Sequence, residues 1–553
     1  MKQIKNPILT GFNPDPSIIR VKDDYYIVTS TFEWFPGCQI HHSKNLIDWQ
    51  LISRPLNRVS QLDMRGNPDS CGVWAPCLSY KDGVFYLLYS NVRSFYGNWK
   101  DTPNYLVTAT DIKGPWSDPV FVNASGFDAS LFHDDDGRTY CINMLVDHRQ
   151  GKFFGGIVLQ EYCLKRKQLV GQPHHIFSGS QHGCTEGPHI YKRNGYYYLL
   201  TAEGGTGYEH CVTLARSKNI LGPYDLHPDN PILTAKKEAN AYLQKTGHAD
   251  LVETPEGEWY MVFLASRPLT PRGRCILGRE TAIEKMQWHA DNWLYLANGN
   301  QLASIQVEAP AGATQSAGAS NNSDVMCHFD KPELDIQFQS LRVPITDDWA
   351  NTTDNPGYLR LYGRESLSSC FEQSLLGRRI QAHKSEAQTC IEFSPDHFQQ
   401  MAGLACYYNT FHYFYLHIHG GDFAENTANK TTKSSVNNTA HSKKEKWLSL
   451  LVCDKHQTYQ ACQPVDLSSA GKVFLKAEFY GADLQFYYAT LDGQWLKIGP
   501  VLDGSILSDD YVVQSDYGYQ PCFTGAFYAL ACQDLSGQKQ HADFSYFKYT
   551  EVF

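Results

Sequence analysis

One segment recurs five times within roughly the first 300 residues, and this repeat is what most limits the folds open to the chain. Its copies are DPSIIRVKDDYYIVTS from Asp15, WAPCLSYKDGVFYLLYS from Trp74, DASLFHDDDGRTYCINM from Asp128, EGPHIYKRNGYYYLLTA from Glu186 and HADLVETPEGEWYMVFL from His248. Each reads as strand, tight turn, strand. The turns carry Asp-Asp, Asp-Gly, Asp-Gly, Asn-Gly and Glu-Gly, mostly residues that tolerate positive φ, while Tyr, Phe, Val and Ile fill the flanks. A spacing of roughly 55 to 60 residues is the scale of a four-stranded propeller blade with generous loops. Three copies are followed by a second shared run, SKNLIDW from Ser43, TDIKGPW from Thr110 and SKNILGPY from Ser217, which reads as a turn between outer strands. The repeat predicts five blades.

In a closed propeller, equivalent positions of successive blades lie at equal radius around the axis. The residues that open the five hairpins therefore form a ring of Asp15, Trp74, Asp128, Glu186 and His248. Asp at a hairpin start can simply cap a turn. Capping does not call for Glu, an aromatic and an imidazole at the other positions, whereas a sugar pocket needs a flat apolar platform beside ionisable groups. Cleaving a glycosidic bond takes one carboxylic acid to protonate the leaving oxygen and one carboxylate to activate water or attack carbon. Converging carboxylates raise each other's proton affinity, so one can stay protonated near neutral pH. Glu186, with the longest reach, is the expected acid.

Six runs carry a resemblance: GFNPDPS (11–17), STFEWFPG (30–37), GVWAP (72–76), FDASLF (127–132), TEGPH (185–189) and LGRET (277–281). Together they resemble glycoside hydrolase family 43, and within it the intracellular β-xylosidases with a C-terminal β-sandwich. The resemblance implies an inverting mechanism with Asp15 as general base, Glu186 as general acid and Asp128 orienting the acid and tuning its pKa. Inversion places the two working carboxyls about 6.5–9.5 Å apart, with room for a water. It also implies that Arg279 forks onto sugar hydroxyls or the base carboxylate, a surface salt bridge being the alternative. Phe32 and Trp74 are expected as platform walls, with Trp34 and Phe35 packing behind them. The resemblance further implies that a Phe from the second half closes the pocket; Phe523 matches best, with core packing as its alternative, and Phe527 is the other candidate. His248 is expected among the substrate-side groups or hydrogen-bonded within the core. No cofactor is expected to be required. A calcium ion on the propeller axis is the alternative, disfavoured because calcium seeks hard oxygen ligands and the ring has no Asp-rich loop.

The second half differs in pattern. Val307 to Val325 is rich in Ala, Gly, Ser and Asn and reads as a linker. Beyond it, runs such as HYFYLHI and ADLQFYYA alternate at strand period, as a two-sheet sandwich requires. The expected architecture is all-β: a five-bladed propeller over 1–306, a linker over 307–325, and a concanavalin-like or jelly-roll β-sandwich over 326–553 packed on the active-site side. The polar run from Asn426 to Lys446 reads as a solvated loop.

Charge and cysteine usage narrow the function classes. A net charge of -10, with no basic stripe, argues against nucleic acid. No run of 18 apolar residues signals a membrane span, and the opening MKQIKNPIL lacks a secretory h-region. Sixteen Cys, without a CxxC pair and often inside apolar runs, read as reduced thiols, so a cytoplasmic protein is expected. The resemblance implies xylooligosaccharides cut from the non-reducing end and a homo-oligomer, a dimer or tetramer. α-L-Arabinofuranosidase or dual activity is the rival within the enzymes, and a noncatalytic carbohydrate-binding propeller is the rival of another class.

Overall fold

The computed structural model describes the chain except residues 1, 96, 98, 150–152, 315–323, 422–444, 514–519, 521 and 553. Among the described residues the first half builds five antiparallel blades, four of them four-stranded and the fourth in chain order five-stranded. Their innermost strands are Ser17–Val21, Gly72–Lys81, Ser130–His133, Glu186–Arg193 and Gln244–Glu253. Each innermost strand touches the next, and the fifth touches the first, so the ring closes. Closure is reinforced outside the blades: Gln3–Lys5 pairs antiparallel with Gln306–Glu308, and the N-terminal run is tied to the last blade through Leu9 and Thr281.

The hairpin turns form where Gly, Asn and Asp allow positive φ. Asp82-Gly83 (52° and 83°) and Asn194-Gly195 (50° and 78°) hold both central residues in the left-handed region, the form that matches strand twist. The first blade differs from the sequence reading. Its turn is Lys22-Asp23, with Lys22 carrying the positive φ (57°), and Asp24 already belongs to the strand Asp24–Thr29.

The apolar faces of neighbouring blades are buried against one another, and these hydrophobic clusters each join two blades. Ile18, Tyr25 and Ile27 of the first blade meet Val252, Tyr260 and Val262 of the fifth, with Ile4 and Leu9 filling between them. Leu200, Val212 and Leu214 of the fourth blade likewise meet Leu251, Met261 and Phe263. Such interdigitated packing holds five separate sheets at fixed angles around one axis.

The chain divides into two compact units, and the division is not a single cut. The first comprises Met1–Ser320, Arg342–Pro344 and Ser508–Gly525; the second comprises Asn321–Leu341, Ile345–Leu507 and Ala526–Phe553. The first two residues of the expected linker at 307–325 belong to the strand Gln306–Glu308. Val307 is buried in the strand that pairs with the N-terminus, while residues 315–323 lie outside the described ones. The second unit contains an eight-stranded and a seven-stranded antiparallel sheet. Lys472–Tyr480 alternates buried and exposed positions, the signature of a strand with one face to the core. The polar run from Asn426 lies largely outside the described residues, and its last member, Lys446, opens the strand Lys446–Asp454.

Candidate active site

The five ring positions share a backbone device. Asp15 (φ 52°), Asp128 (54°) and His248 (40°) are left-handed, and in the other two blades the bend falls one residue later, at Ala75 (29°) and Gly187 (58°). Strand registers shift at the same places, between Trp74 and Cys77, between Glu186 and His189, and between Gly247 and Ala249. An irregularity of this kind re-aims a side chain that would otherwise follow the sheet. All five side chains line one pocket, together with Phe32, Phe127, Thr206, His210, Arg279 and Phe523.

The carboxylates are held differently. Asp15 Oδ2 accepts a hydrogen bond from Ser30 Oγ at 2.7 Å, and Ser30 Oγ accepts one from the Ala75 amide at 2.8 Å, so the first and second blades brace it together. Asp128 Oδ2 accepts the Gly187 amide at 3.1 Å, which joins its position to that of Glu186. The turn before Glu186 is anchored by buried Glu203, which accepts from Ser180 N at 3.0 Å and Thr185 Oγ1 at 3.2 Å. His248 lies between the two Asp residues, its Nδ1 3.9 Å from Asp15 Oδ1 and 3.9 Å from Asp128 Oδ2.

Burial and mutual repulsion act on the protons. Desolvation, followed by the Asp15 charge, pushes Glu186 up to about 8, and the Arg279 charge works against the rise. Desolvation pushes Asp128 up to about 8 as well; His248 opposes the rise, while Glu186 and Asp15 add to it. The pocket thus gathers three carboxyls, at least one of which holds its proton at neutral pH. Burial pushes His210 down to about 3, so it is neutral. Its Nδ1 lies 3.1 Å from the Lys245 carbonyl, which only accepts, so that nitrogen carries the proton.

The walls are aromatic. Phe523 packs edge-on to Trp74 (5.4 Å, 88°) and tilted against Phe32 (5.6 Å), while Phe127 meets Trp74 edge-on at 5.2 Å. Trp74 Nε1 donates to the Ser70 carbonyl, and Ser70 Oγ accepts the Phe523 amide at 3.0 Å. Arg279 Nη1 lies 2.8 Å from Asp509 Oδ2 and donates to the Cys522 carbonyl at 3.3 Å; its guanidinium stands 5.1 Å from the Phe523 ring centre.

Of the expected site residues, Asp15, Glu186, Asp128, Phe32, Trp74, Arg279, His248 and Phe523 all line this pocket. Phe527 does not; it opens the strand Phe527–Asp534 in the second unit. Trp34 and Phe35 are fully buried, Phe35 in the core between the first two blades. Thr206, His210 and Asp509 went unassigned in the sequence. The first two lie in or beside a loop after Glu203 that no other blade repeats, and Asp509 belongs to a segment without periodicity. Phe127 sits in the FDASLF run directly before Asp128, but the hairpin repeat, which begins at Asp128, gives it no ring position of its own.

Calcium takes about six to eight oxygens. The axial carboxylate Asp250 already accepts from Ser17 Oγ (2.8 Å), the Ile18 amide (2.8 Å), the Leu251 amide (2.8 Å) and Tyr191 Oη. Among the described residues no group of three or more His, Cys, Asp or Glu could hold a metal ion, and no helix is long and apolar enough to cross a membrane.

Residues 4–294 match the model of glycosyl hydrolases family 43, and residues 327–550 match that of the β-xylosidase C-terminal concanavalin A-like domain. Xylosidase/arabinosidase 43B of Humicola insolens is 49% identical, over 100% of this chain and 98% of that protein. A β-xylosidase of Bacillus subtilis is 46% identical, over 99% of this chain and 100% of its own length. The crystal structure of xylan β-1,4-xylosidase from Bacillus halodurans superposes with a TM-score of 0.91 at 46% identity, covering 99% of this chain and 100% of that one.

Proposed function

Since the chain belongs to glycoside hydrolase family 43, we propose that it removes D-xylose from the non-reducing end of β-1,4-xylooligosaccharides with inversion at the anomeric carbon. Glu186 is the general acid, Asp15 the general base, and Asp128 orients the acid and tunes its proton affinity. The observation that carries this reading is that Glu186, Asp15 and Asp128 line one aromatic-walled pocket, where burial and the Asp15 charge raise the proton affinity of Glu186. Glu186 gives its proton to the leaving oxygen as the bond to the anomeric carbon breaks. Asp15, its Oδ2 anchored by Ser30, takes a proton from the water that attacks the opposite face. Trp74, Phe32 and Phe523 supply the platform for one sugar ring.

A second activity toward α-L-arabinofuranosides is favoured by the relative named a xylosidase/arabinosidase. Hydrolysis of nitrophenyl β-xyloside and nitrophenyl α-L-arabinofuranoside separates the readings. The xyloside is expected to turn over faster, with both activities lost in Asp15→Ala and Glu186→Ala. The reverse preference would make the chain an arabinofuranosidase, and no turnover of either would make it a binding protein. Most of the sixteen thiols are buried, in keeping with a cytoplasmic enzyme. The reading includes a dimer or tetramer, so a monomer mass by light scattering contradicts that part.

A further inference from the structure

The segment Ser508–Gly525 lies in the second half of the chain yet belongs to the first unit. It brings two adjacent carboxylates to two buried cations. Asp509 Oδ2 lies 2.8 Å from Arg279 Nη1, the two side chains being 6% and 5% exposed. Asp510 Oδ1 lies 2.6 Å from Lys245 Nζ, and its Oδ2 accepts the Cys275 amide at 2.9 Å. The pairs are neighbours in sequence but differ in what they face. Arg279 lines the pocket; Lys245, Asp510 and Asp509 do not.

We propose that Asp509 is a positioning residue of the reaction: its carboxylate fixes the Arg279 guanidinium in the pocket wall, so that the cation meets the sugar in one orientation. A guanidinium this deeply buried is costly unless paired, and the same segment that pairs it also supplies the Cys522 carbonyl and the Phe523 ring beside it. Asp509 also offsets part of the charge that Arg279 presents to Glu186. The titratable and charged groups around Glu186 are Asp15, Asp128, Cys184, His210, His248 and Arg279. Among them Arg279 is the one that lowers the proton affinity of Glu186.

The inference rests on the glycosidase reading, and the test separates the two. Wild type, Asp509→Asn and Asp510→Asn are compared in the pH dependence of kcat/KM on xylobiose and in thermal unfolding. Both variants are expected to lose stability. Asp509→Asn alone is expected to lose about 10- to 100-fold in kcat/KM and to move its basic limb about half a pH unit lower, because the Arg279 charge then acts on Glu186 unopposed. If Asp509→Asn does not fold, Asp509→Glu takes its place. It keeps the charge and displaces Arg279, so the limb stays while kcat/KM falls. An Asp509 variant that behaves like Asp510→Asn, or a limb that moves higher, overturns the inference. A wild type without xylosidase activity overturns the functional reading instead.

Discussion

At the scale of single residues, the protonated Glu186 carboxyl ties activity and stability to the same proton. Its ordinary value of 4.5 rises to about 8 on folding, so between those values the folded chain binds more protons than the unfolded one. Stability from this group is therefore present at low pH and lost as pH rises toward 8. Glu186→Gln has no proton to lose. Its unfolding midpoint is expected to fall less than the wild type's between pH 5 and 8, leaving the slope due to Asp128. In the same variant kcat/KM on xylobiose should drop roughly 10²- to 10⁴-fold and the basic limb near pH 8 should vanish. Parallel midpoint curves for the two proteins would show that Glu186 is not raised. Glu186, Asp15 and Asp128 were legible in the sequence because blade symmetry converts equal repeat position into equal radius. The left-handed bends at Asp15, Asp128 and His248 were not, since φ at these positions follows from packing of the whole ring rather than from residue type.

At the scale of elements, the pocket wall depends on two chain segments lying backbone to backbone. A Cβ on Gly278 would stand 2.3 Å from the Thr524 carbonyl, and φ there is +69°. Gly278→Ala must push 522–525 away from Arg279. The expected result is a loss of about 1–3 kcal/mol together with a raised KM, because Phe523 and the Cys522 carbonyl both move. Unchanged KM with lowered stability would show that the wall does not set sugar affinity. The LGRET run announced Arg279, yet nothing in it announced the strip laid against it. Strand period and turn residues report local structure, whereas this contact joins positions far apart in the chain. The turns show the same limit: Asp-Gly and Asn-Gly fixed theirs correctly, while the first blade turned at Lys22-Asp23, where register outweighed the Asp-Asp pair.

At the scale of the whole molecule, the catalytic unit is assembled from three stretches. Arg342 donates through Nη2 to Asp69 at 2.6 Å and through Nε to the Asn67 carbonyl at 2.8 Å, next to Ser70, which holds Trp74 and Phe523. A chain ended after Ser320 lacks Arg342, Asp509 and Phe523. It is expected to have less than about a hundredth of the full chain's kcat/KM, since positioning losses of this kind are large; an active truncated propeller would show that those residues are dispensable. Composition and strand period in the second half pointed to a sandwich, but a boundary read from an Ala- and Ser-rich run could not foresee a return of the chain to the first unit. The central claim, an inverting β-xylosidase, is tested most directly by proton NMR of the xylose first released from xylobiose. An inverting enzyme releases α-xylose, which mutarotates afterwards; β-xylose as the first product would contradict inversion.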